Sequence, residues 1–351
     1  MSAIEARARR VQRAVALAGR VADPTDRLGI EARRDLAVTS GLSREGVELA
    51  LAQHLEVAID DADLASLLDA VDLAPRCHVI LAANVCTAAL RAIALAFAAS
   101  PAVTIRPSRR DPGIALILAR ELGIALTDAV AAAPGDALHV YGSDATIAEV
   151  RASTAEGVIV HGHGTGLGIA IVGADADLDA SAQTLAADVI PFDQRGCLSP
   201  RFALVEGSED RAAAFARALH AALLDLGERV PRGPLDEATL AAIALHGAAI
   251  DAVGERFVGP QHVVGLDLTP RALLLPPAAR VVQVVPASAE VAGRLLGPWA
   301  RFLTTVGGSG RGALLDAVSA LAPEARRAAL GRMQRPPLDG PVDRRGLGKQ
   351  S

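Results

Sequence analysis

The chain has 351 residues and a formal net charge of −5. This length is enough to bury a large core, and it predicts two domains with an additional segment. There is no global basic field and no block of lysine and arginine interleaved with aromatic residues, which argues against nucleic-acid binding. About half of the residues are apolar but aromatic residues are scarce, so the core must consist of Ala, Val, Leu and Ile.

The cysteine content and the apolar runs indicate a cytoplasmic protein. Three cysteines without paired spacing argue against a disulfide framework and favour a reducing compartment. The N-terminal stretch carries several arginines, and Arg20 interrupts the apolar segment that follows, which is typical of an amphipathic helix rather than a signal peptide. The most apolar run, 92–105, is too short to span a membrane and contains Pro101.

Residues 1–75 are predicted to be helical, in segments separated by Asp-Pro, Ser-Gly-Leu-Ser and Asp-Asp signals. The predicted helices are 2–19, 30–38, 43–56 and 61–71. No ligand chemistry is visible in this part, so we interpret it as a segment that packs on the next domain or forms an oligomer surface.

From residue 76 onward, short apolar runs alternate with helical segments of about ten residues. The predicted strands are 78–82, 103–105, 137–141 and 158–161, and the predicted helices are 88–99, 114–122 and 145–152. This alternation predicts an α/β fold with right-handed crossovers and a mostly parallel, doubly wound sheet.

Polar residues follow three of these predicted strands. In such sheets ligands bind at the carboxyl ends of the strands, so these loops predict a nucleotide site. Gly142 and Ser143 open a helix and could offer N–H groups and a hydroxyl to a diphosphate. The loop residues are Asn84 after the first strand, Arg106, Ser108 and Arg109 after the second, and Gly142 and Ser143 after the third.

The glycine-rich run 161–168 has neither the G-x-G-x-x-G spacing of a dinucleotide loop nor the Gly-Lys-Ser/Thr of a P-loop. His161 and His163 alternate and could both ligate a metal, but no third or fourth ligand is evident, so no metal site is predicted. The glycines favour a close backbone approach between domains or to a ligand.

The turn at 191–200, Pro-Phe-Asp-Gln-Arg-Gly-Cys-Leu-Ser-Pro, holds Cys197 between a helical segment and an apolar run. A thiol on such a turn can be presented to substrate, and Arg195 with the backbone N–H dipoles would favour the nucleophilic thiolate. An inert cysteine in a buried turn is the alternative. Residues 186–303 are interpreted as a second α/β domain, 304–335 as a segment returning to the first domain, and 336–351 as a disordered tail. The segment 304–335 is predicted to open with a second glycine loop at 304–312, before a helix at 313–321.

Four motifs, taken in order, resemble the aldehyde dehydrogenase superfamily. More narrowly, they resemble the long-chain acyl-CoA (acyl-protein thioester) reductases of bacterial fatty-aldehyde pathways, over about 76–310. The Asp-Gln-x-x-Cys-x-Ser-Pro pattern is the most specific of the four. The motifs are Ala-Ala-Asn-Val at 82–85, Val-Thr-Ile-Arg-Pro-Ser at 103–108, Val-Tyr-Gly-Ser at 140–143, and the turn at 192–200.

The resemblance implies a Rossmann-type cofactor domain at 76–185 and a chemistry for two residues. Cys197 would be the nucleophile that attacks an acyl thioester, and Asn84 would join the Cys197 backbone N–H in binding the oxyanion. For Asn84, capping of the following helix is the alternative.

Two departures from the family pattern refine this expectation. The hydrolytic members carry a Glu where this chain has 163–167, which contains no carboxylate, so reduction of the acyl group is favoured over hydrolysis. His163 could still act as an acid or base there, or serve only as a loop residue. NAD-preferring relatives bind the ribose hydroxyls with a Glu, whereas this chain has Arg106 and Arg109, which would attract the 2′-phosphate of NADPH.

The leading hypothesis is therefore an NADPH-dependent acyl thioester reductase that forms an aldehyde. Cys197, Asn84 and His163 are its candidate catalytic residues. The candidate cofactor residues are Arg106, Ser108, Arg109, Gly142, Ser143 and Gly164. Aldehyde oxidation and a non-catalytic nucleotide-binding or scaffold role are the alternatives. The substrate would arrive on CoA or on a protein, and an acyl-protein synthetase partner and a homo-oligomer stay open.

Overall fold

The structure, a computed structural model, describes residues 2–345 and divides into two compact units. The first contains the described residues up to Thr165 and those from Pro337 onward, and the second is Gly166–Pro336. The predicted boundary after residue 185 differs from this division because the strand that begins at Leu167 pairs into the sheet of the second unit.

The first unit opens with four helices whose amino ends are capped by Ser or Asp side chains. Each cap accepts a hydrogen bond from a backbone N–H of the first turn, which would otherwise lack a partner. The third helix continues as one π-helical turn, Ala50–His54. These elements confirm the helical N-terminal segment: α1 (Ala3–Ala22), α2 (Arg27–Thr39), α3 (Arg44–Leu49) and α4 (Asp61–Asp69).

The sheet of the first unit has five strands, all parallel. The sequence predicted a mostly parallel sheet and four of these strands, and the two-residue strand Ala125–Leu126 was not predicted. Helix α5 (Ala88–Ala99) is buried around nearly its whole circumference, because it lies between α1 and the sheet, and Arg91 is its one charged residue. Helices α6 (Gly113–Leu122) and α7 (Asp144–Ser153) complete the crossovers. The strands are β1 (Cys77–Ile80), β2 (Val103–Arg106), β3 (Ala125–Leu126), β4 (Ala137–Tyr141) and β5 (Ile159–His163).

The strand order β3-β2-β1-β4-β5 places a topological switch point between β1 and β4. From β1 the chain moves outward to β2 and β3, and then it returns to β4 and moves outward the other way. Crossovers on the two sides therefore leave a crevice at the carboxyl ends of β1 and β4. The Asn84 loop follows β1 and the Gly142–Ser143 turn follows β4, so both border this crevice.

The second unit is built on a seven-stranded sheet in the order β12-β11-β6-β7-β10-β9-β8. All neighbours are parallel except β8 and β9, and aliphatic side chains from its central strands form a continuous core. The strands are β6 (Leu167–Val172), β7 (Pro200–Glu206), β8 (Glu255–Val258), β9 (Val263–Leu266), β10 (Val281–Ala287), β11 (Leu303–Ser309) and β12 (Arg326–Ala329).

Five helices and two short 3₁₀ turns, Pro191–Gln194 and Gly297–Phe302, connect these strands. Within residues 2–345, no helix combines the length and the apolar character needed to cross a bilayer. The helices are α8 (Leu178–Val189), α9 (Glu209–Arg229), α10 (Glu237–Asp251), α11 (Ala289–Leu296) and α12 (Ala313–Leu321).

The C-terminal part differs from the predicted organisation. The expected glycine loop at 304–312 is largely strand β11, which pairs with β6 and β12, so 304–335 belongs to the second unit. The tail expected to be disordered from residue 336 is packed on the first unit over 337–345. Leu338 is buried there, and the Arg91 guanidinium donates to the carbonyl oxygens of Pro337 and Gly340 at 2.9 and 2.8 Å. Residues 346–351 lie outside the described residues.

Candidate active site

Cys197 lies on a tight turn that connects α8 to β7. The N–H of Ser199 donates to the carbonyl oxygen of Gly196 at 3.1 Å, which places Cys197 at the second position of a β-turn. Its side chain is half-buried. The turn stands at the amino end of β7, whereas the sequence rule for nucleotide sites concerns the carboxyl ends of strands.

The backbone before this turn has an uncommon conformation. Phe192, Asp193 and Gln194 have φ values of 54°, 50° and 63°, three consecutive residues with side chains in the left-handed region. Each such residue costs roughly 1–2 kcal/mol relative to ordinary conformations, so the segment must be held by its surroundings. The chain reverses here and leads directly to Gly196 and Cys197.

A buried ion pair holds this segment on one side. The Asp193 carboxylate accepts from Arg280 Nε at 3.0 Å and from its Nη2 at 2.7 Å, and the N–H of Gly233 donates to the second carboxylate oxygen at 3.0 Å. The Arg280 side chain is 1 % exposed and that of Asp193 is 6 % exposed. Arg280 and its neighbour Ala279 also have positive φ, so two strained segments face each other. Their backbones are joined by a hydrogen bond from the N–H of Ala279 to the carbonyl oxygen of Asp193 at 3.0 Å.

The Gln194 amide anchors the other side. Its Nε2 donates to the carbonyl oxygens of Pro200 and Val281 at 2.7 and 2.8 Å, and its Oε1 accepts from the N–H of Val281 at 2.8 Å. The parallel pairing of β7 and β10 begins further along, at Phe202 and Gln283. The Gln194 side chain thus makes the hydrogen bonds that the backbone pairing of β7 and β10 does not provide at the start of these strands. It also closes the five-residue loop that carries Cys197.

Two glycines, Gly168 in β6 and Gly166 just before it, let the chain lie directly against the Cys197 turn. A Cβ at Gly168 would stand 2.4 Å from the carbonyl oxygen of Leu198. One at Gly166 would stand 2.3 Å from Thr304 Cγ2 and 3.2 Å from Cys197 Cβ. These distances leave no room for a side chain, so this end of the glycine-rich run serves a close backbone approach inside the second unit.

Arg195, expected to favour the thiolate, directs its Nε back to the carbonyl oxygen of Phe192 at 3.0 Å. The guanidinium therefore takes part in holding its own turn. The cysteines of the described chain, Cys77, Cys86 and Cys197, are not joined in disulfides. Burial raises the pKa of the Cys77 thiol to about 12, which makes that cysteine an inert core residue.

Asn84 is exposed in the loop that follows β1. The alternative role as a helix cap does not apply, because α5 begins at Ala88 and its cap position is Thr87. Asn84 makes no hydrogen bond with any residue in the described range 2–345, so its amide is available to a ligand.

The turn after β4 is shaped by its own hydrogen bonds. Ser143 caps α7, because its hydroxyl accepts from the N–H of Thr146 at 3.2 Å. The next residue, Asp144, accepts from the N–H of Thr165 at 2.8 Å. Gly164 lies so close that a Cβ there would stand 2.3 Å from the Asp144 carboxylate. Gly142, Ser143 and Gly164 are thus brought together at one end of the sheet.

The residues predicted to bind the cofactor phosphate follow β2. Arg106 lines a groove together with the aliphatic side chains of Ile80, Leu138 and Val150. Arg109 and its neighbour Arg110 are exposed, and neither forms an ion pair with any residue in 2–345. The Ser108 hydroxyl accepts from the N–H of Arg110 at 3.3 Å and shapes the loop.

His163 belongs to a group of stacked rings on β4 and β5. His139 Nδ1 and His163 Nε2 are 3.1 Å apart, and Tyr141 stacks on His163 with ring centroids 4.2 Å apart. Burial lowers the pKa of His163 to about 4, although the charge of Asp343 opposes this shift. At neutral pH the imidazole is therefore uncharged, which disfavours it as a proton donor. No group of metal-ligating side chains is found among residues 2–345, His161 and His163 included.

Several residues that shape this site were not identified from the sequence. Asp193 and Gln194 were seen only as part of the motif, and Arg280, Thr304 and His139 were not singled out. The signal available in the sequence was the acid and amide pair Asp193 and Gln194, which lie four and three residues before Cys197. The partners of Asp193 and Gln194 are too distant in sequence to be identified from it. Nothing in the sequence indicated the positive φ values at residues 192–194.

The two doubly wound sheets define an α/β protein with the fold of the aldehyde dehydrogenases. The structure matches an NAD-dependent benzaldehyde dehydrogenase from Corynebacterium glutamicum with a TM-score of 0.71 and 18 % identity, over 94 % of this chain and 80 % of that one. Aldehyde dehydrogenase 21 from Physcomitrella patens matches with a TM-score of 0.70 and 15 % identity, over 96 % and 79 % of the two chains. An NADP-dependent glyceraldehyde-3-phosphate dehydrogenase from Bacillus halodurans gives 0.67 and 14 %, over 94 % and 79 %.

The family is more specific than the fold. The family model described as acyl-CoA reductase (LuxC) matches residues 124–341, which is more than half of the chain. The chain therefore belongs to the acyl-CoA reductase (LuxC) family. A comparison with curated proteins gave no significant match. Membership of this family supports oxidoreductase chemistry on acyl groups, and the solved structures show the aldehyde dehydrogenase fold.

Proposed function

We propose that the protein reduces a fatty acyl thioester to an aldehyde, with NADPH as reductant and Cys197 as the nucleophile. The observation that carries this proposal is the Cys197 turn, a strained segment clamped by buried polar side chains in a member of the acyl-CoA reductase family. Strain of this kind persists where the surrounding structure over-determines it, and it concentrates at functional sites.

In the first step the Cys197 thiolate attacks the thioester carbonyl carbon. The bond from that carbon to the donor sulfur breaks, the donor leaves as a thiolate, and the acyl group is held as a thioester on Cys197. The Asn84 amide and the backbone N–H of Cys197 would stabilise the oxyanion that forms on the carbonyl oxygen. Such a donor pair contributes most when it is fixed before the reaction.

The second step returns Cys197 to its thiolate. The bound cofactor supplies a hydride to the carbonyl carbon of the acyl group. The oxyanion then re-forms the carbonyl bond, the carbon–sulfur bond to Cys197 breaks, and the aldehyde is released. The overall reaction consumes one thioester, one NADPH and one proton, and it yields one aldehyde, one thiol and one NADP⁺.

The local acids and bases favour reduction over hydrolysis. The stretch 163–167 contains no carboxylate that could activate water, and the Asp144 carboxylate beside it accepts a hydrogen bond from the N–H of Thr165 at 2.8 Å. Asp343, whose charge acts on His163, is itself bound by Arg345 Nη2 at 2.6 Å and Nε at 2.8 Å. A carboxylate in such a pair is a poor general base, so the acyl group on Cys197 would survive until it is reduced.

The preference for NADPH rests on charge. Arg106 lines the groove of the first unit, and Arg109 stands exposed three residues further along, where it has no partner within 2–345. Guanidinium groups bind phosphate well, and no acidic side chain follows β2 until Asp111. Ser143 and the amino end of α7, beside Gly142 and Gly164, would hold the diphosphate.

The test is NADPH consumption with a panel of acyl-CoAs of different chain length, together with identification of the aldehyde product. Wild type should oxidise NADPH only when a thioester is present, and Cys197→Ala should lose at least about 10³-fold in turnover. Cys86→Ser is the matched control and should stay within about twofold of wild type. The proposal fails if Cys197→Ala is as active as wild type, or if wild type oxidises aldehydes but reduces no thioester.

An acyl-protein synthetase that delivers the acyl group, a homo-oligomer and a cytoplasmic location stay predictions. The assay with acyl-CoA tests the chemistry without any of these assumptions.

A further inference from the structure

The turn that carries Cys197 depends on side chains that do not react. Phe192, Asp193 and Gln194 place three consecutive strained residues immediately before Cys197. Without compensation this segment would relax to an ordinary conformation, and the next three residues would move with it. Contacts inside the second unit prevent this relaxation.

The contacts of the Asp193 carboxylate hold the strained segment on one side. It is bound by Arg280 through two nitrogen atoms and by the N–H of Gly233, and all of these contacts are buried. The Arg280 Nη1 donates in addition to the carbonyl oxygen of Val230 at 2.8 Å. A carboxylate with this many fixed donors has one position, so the backbone of residue 193 has one position as well.

On the other side the Gln194 amide makes three hydrogen bonds to Pro200 and Val281 and is completely buried. Pro200 is the residue at which β7 begins, and Val281 is the residue at which β10 begins. The amide therefore ties the start of the Cys197 loop both to its end and to the sheet. A hydrophobic residue here would leave buried backbone groups without hydrogen-bond partners, which is destabilising.

We infer that Asp193 and Gln194 are positioning residues for the nucleophile. Together with Arg280 they lock the left-handed segment and fix where the Cys197 sulfur stands. The inference rests on the proposed function in so far as it takes Cys197 as the reacting group. A sulfur displaced by about 1 Å reacts up to about 10²-fold more slowly, because the reacting atoms no longer meet at the productive distance and angle.

The experiment compares Asp193→Asn and Gln194→Glu with wild type. Asp193→Asn keeps the shape but removes the charge that Arg280 needs, and Gln194→Glu keeps the acceptor for Val281 while it loses both donated bonds. The rate at which iodoacetamide alkylates Cys197 is followed by mass spectrometry of the Cys197 peptide in the folded proteins. The kcat for thioester reduction and the KM for NADPH are measured alongside.

We expect each variant to change the Cys197 alkylation rate by about 10-fold or more and to lower kcat by about 10–100-fold, with the KM for NADPH within about twofold. Arg280→Lys, which keeps the charge but not the planar fork, should give an intermediate effect. If these side chains had only a structural role, the variants would lower the free energy of unfolding and leave the Cys197 alkylation rate and kcat unchanged.

The matched control is Asp136→Asn in the first unit. Asp136 is also a buried carboxylate bound by an arginine, since Arg76 Nη2 lies 2.9 Å from it, and it also contacts His78 Nε2 at 3.3 Å. This variant should lose stability while Cys197 alkylation stays at the wild-type rate. If Asp193→Asn does not fold, Gln194→Glu and Arg280→Lys carry the test.

Folded variants that alkylate Cys197 and turn over at the wild-type rate would overturn the inference. If wild type reduces no thioester, the proposed function fails. The alkylation comparison still decides whether these side chains position Cys197.

Discussion

The hydroxyl of Thr304 donates a hydrogen bond to the carbonyl oxygen of Cys197. The same hydroxyl lies 3.2 Å from the carbonyl oxygen of Leu167, and Thr304 is 2 % exposed. One buried side chain thus joins the amino ends of β6 and β11 to the Cys197 turn. Because the contact is with the backbone of Cys197, movement of Thr304 must move the peptide that carries the thiol.

This relationship predicts the effect of a methyl group at residue 166. In Gly166→Ala the new Cβ would stand 2.3 Å from Thr304 Cγ2, so Thr304 has to shift and its bond to Cys197 weakens. We expect kcat to fall by about 10-fold or more. In the double variant Gly166→Ala/Thr304→Ser the clashing methyl is gone while the hydroxyl remains, and most of the activity should return. Steady-state kinetics of the three proteins measures this coupling.

Gly293→Ala is the matched control for that experiment. Gly293 lies in α11, and no atom stands within 4 Å of the position its Cβ would take. This substitution should leave kcat unchanged and raise stability by about 0.5–1 kcal/mol. Equal loss of activity in Gly166→Ala with and without Thr304→Ser would contradict the proposed contact.

Replacement of Asn84 tests the oxyanion site. Asn84→Ala removes a donor, and Asn84→Asp places a negative charge where the oxyanion would form. We expect kcat/KM for the thioester to fall by about 10²–10³-fold in Asn84→Ala and further in Asn84→Asp. Stopped-flow measurement of thiol release from the acyl donor follows the first step directly. An unchanged rate of thiol release in both variants would remove Asn84 from the catalytic residues.

The arginines after β2 predict the cofactor preference. Arg109→Glu should lower kcat/KM with NADPH by about 10-fold or more and change kcat/KM with NADH much less, because the new carboxylate repels only the 2′-phosphate. Arg106→Ala should act in the same direction. Arg110→Ala is the control, since Arg110 is an exposed arginine of the same loop to which no role is assigned. If all three variants changed the two cofactors equally, the arginines would not select NADPH.

The lowered pKa of His163 predicts that the folded protein loses stability at acidic pH. Burial lowers the pKa of His163 to about 4 from an ordinary value of 6.5, so the folded state favours the neutral ring. Its contribution to the free energy of unfolding is complete above pH 6.5 and is lost as the pH falls toward 4. In His163→Gln the decline between these pH values should be shallower. Urea unfolding at pH 7, 5.5 and 4.5 measures the slopes, and parallel curves for the two proteins would contradict the assignment.

Much of the first unit could be predicted because its determinants are local. The apolar runs around Val79 and Val140 are flanked by turn residues, and buried parallel strands require this pattern. The helix caps Ser2, Asp26 and Ser43 are also local, because each side chain accepts from the first turn of its own helix, although the predicted start of the second helix at residue 30 was three residues late. The family motif pointed to Cys197 and Asn84 by resemblance alone.

The second unit was harder to predict because its pairing is not local. Gly307 and Gly308 suggested a loop, but they lie in β11, where a Cβ would collide with Met333 or Leu315. Glycine in a strand can mark a close packing partner as well as a turn, and only the partner's position distinguishes the two.

The amino-acid sequence by itself determined the helices and most of the parallel strands of the first unit, and the motif that contains the cysteine, since periodicity and turn chemistry act over a few residues. The tertiary structure alone decided how that cysteine is held. Asp193 meets Arg280 across 87 residues of sequence, and Gln194 spans the same distance to Val281. Contacts of that range exist only after both sheet edges are assembled, and they maintain a backbone conformation that residues 192–194 would not adopt unaided.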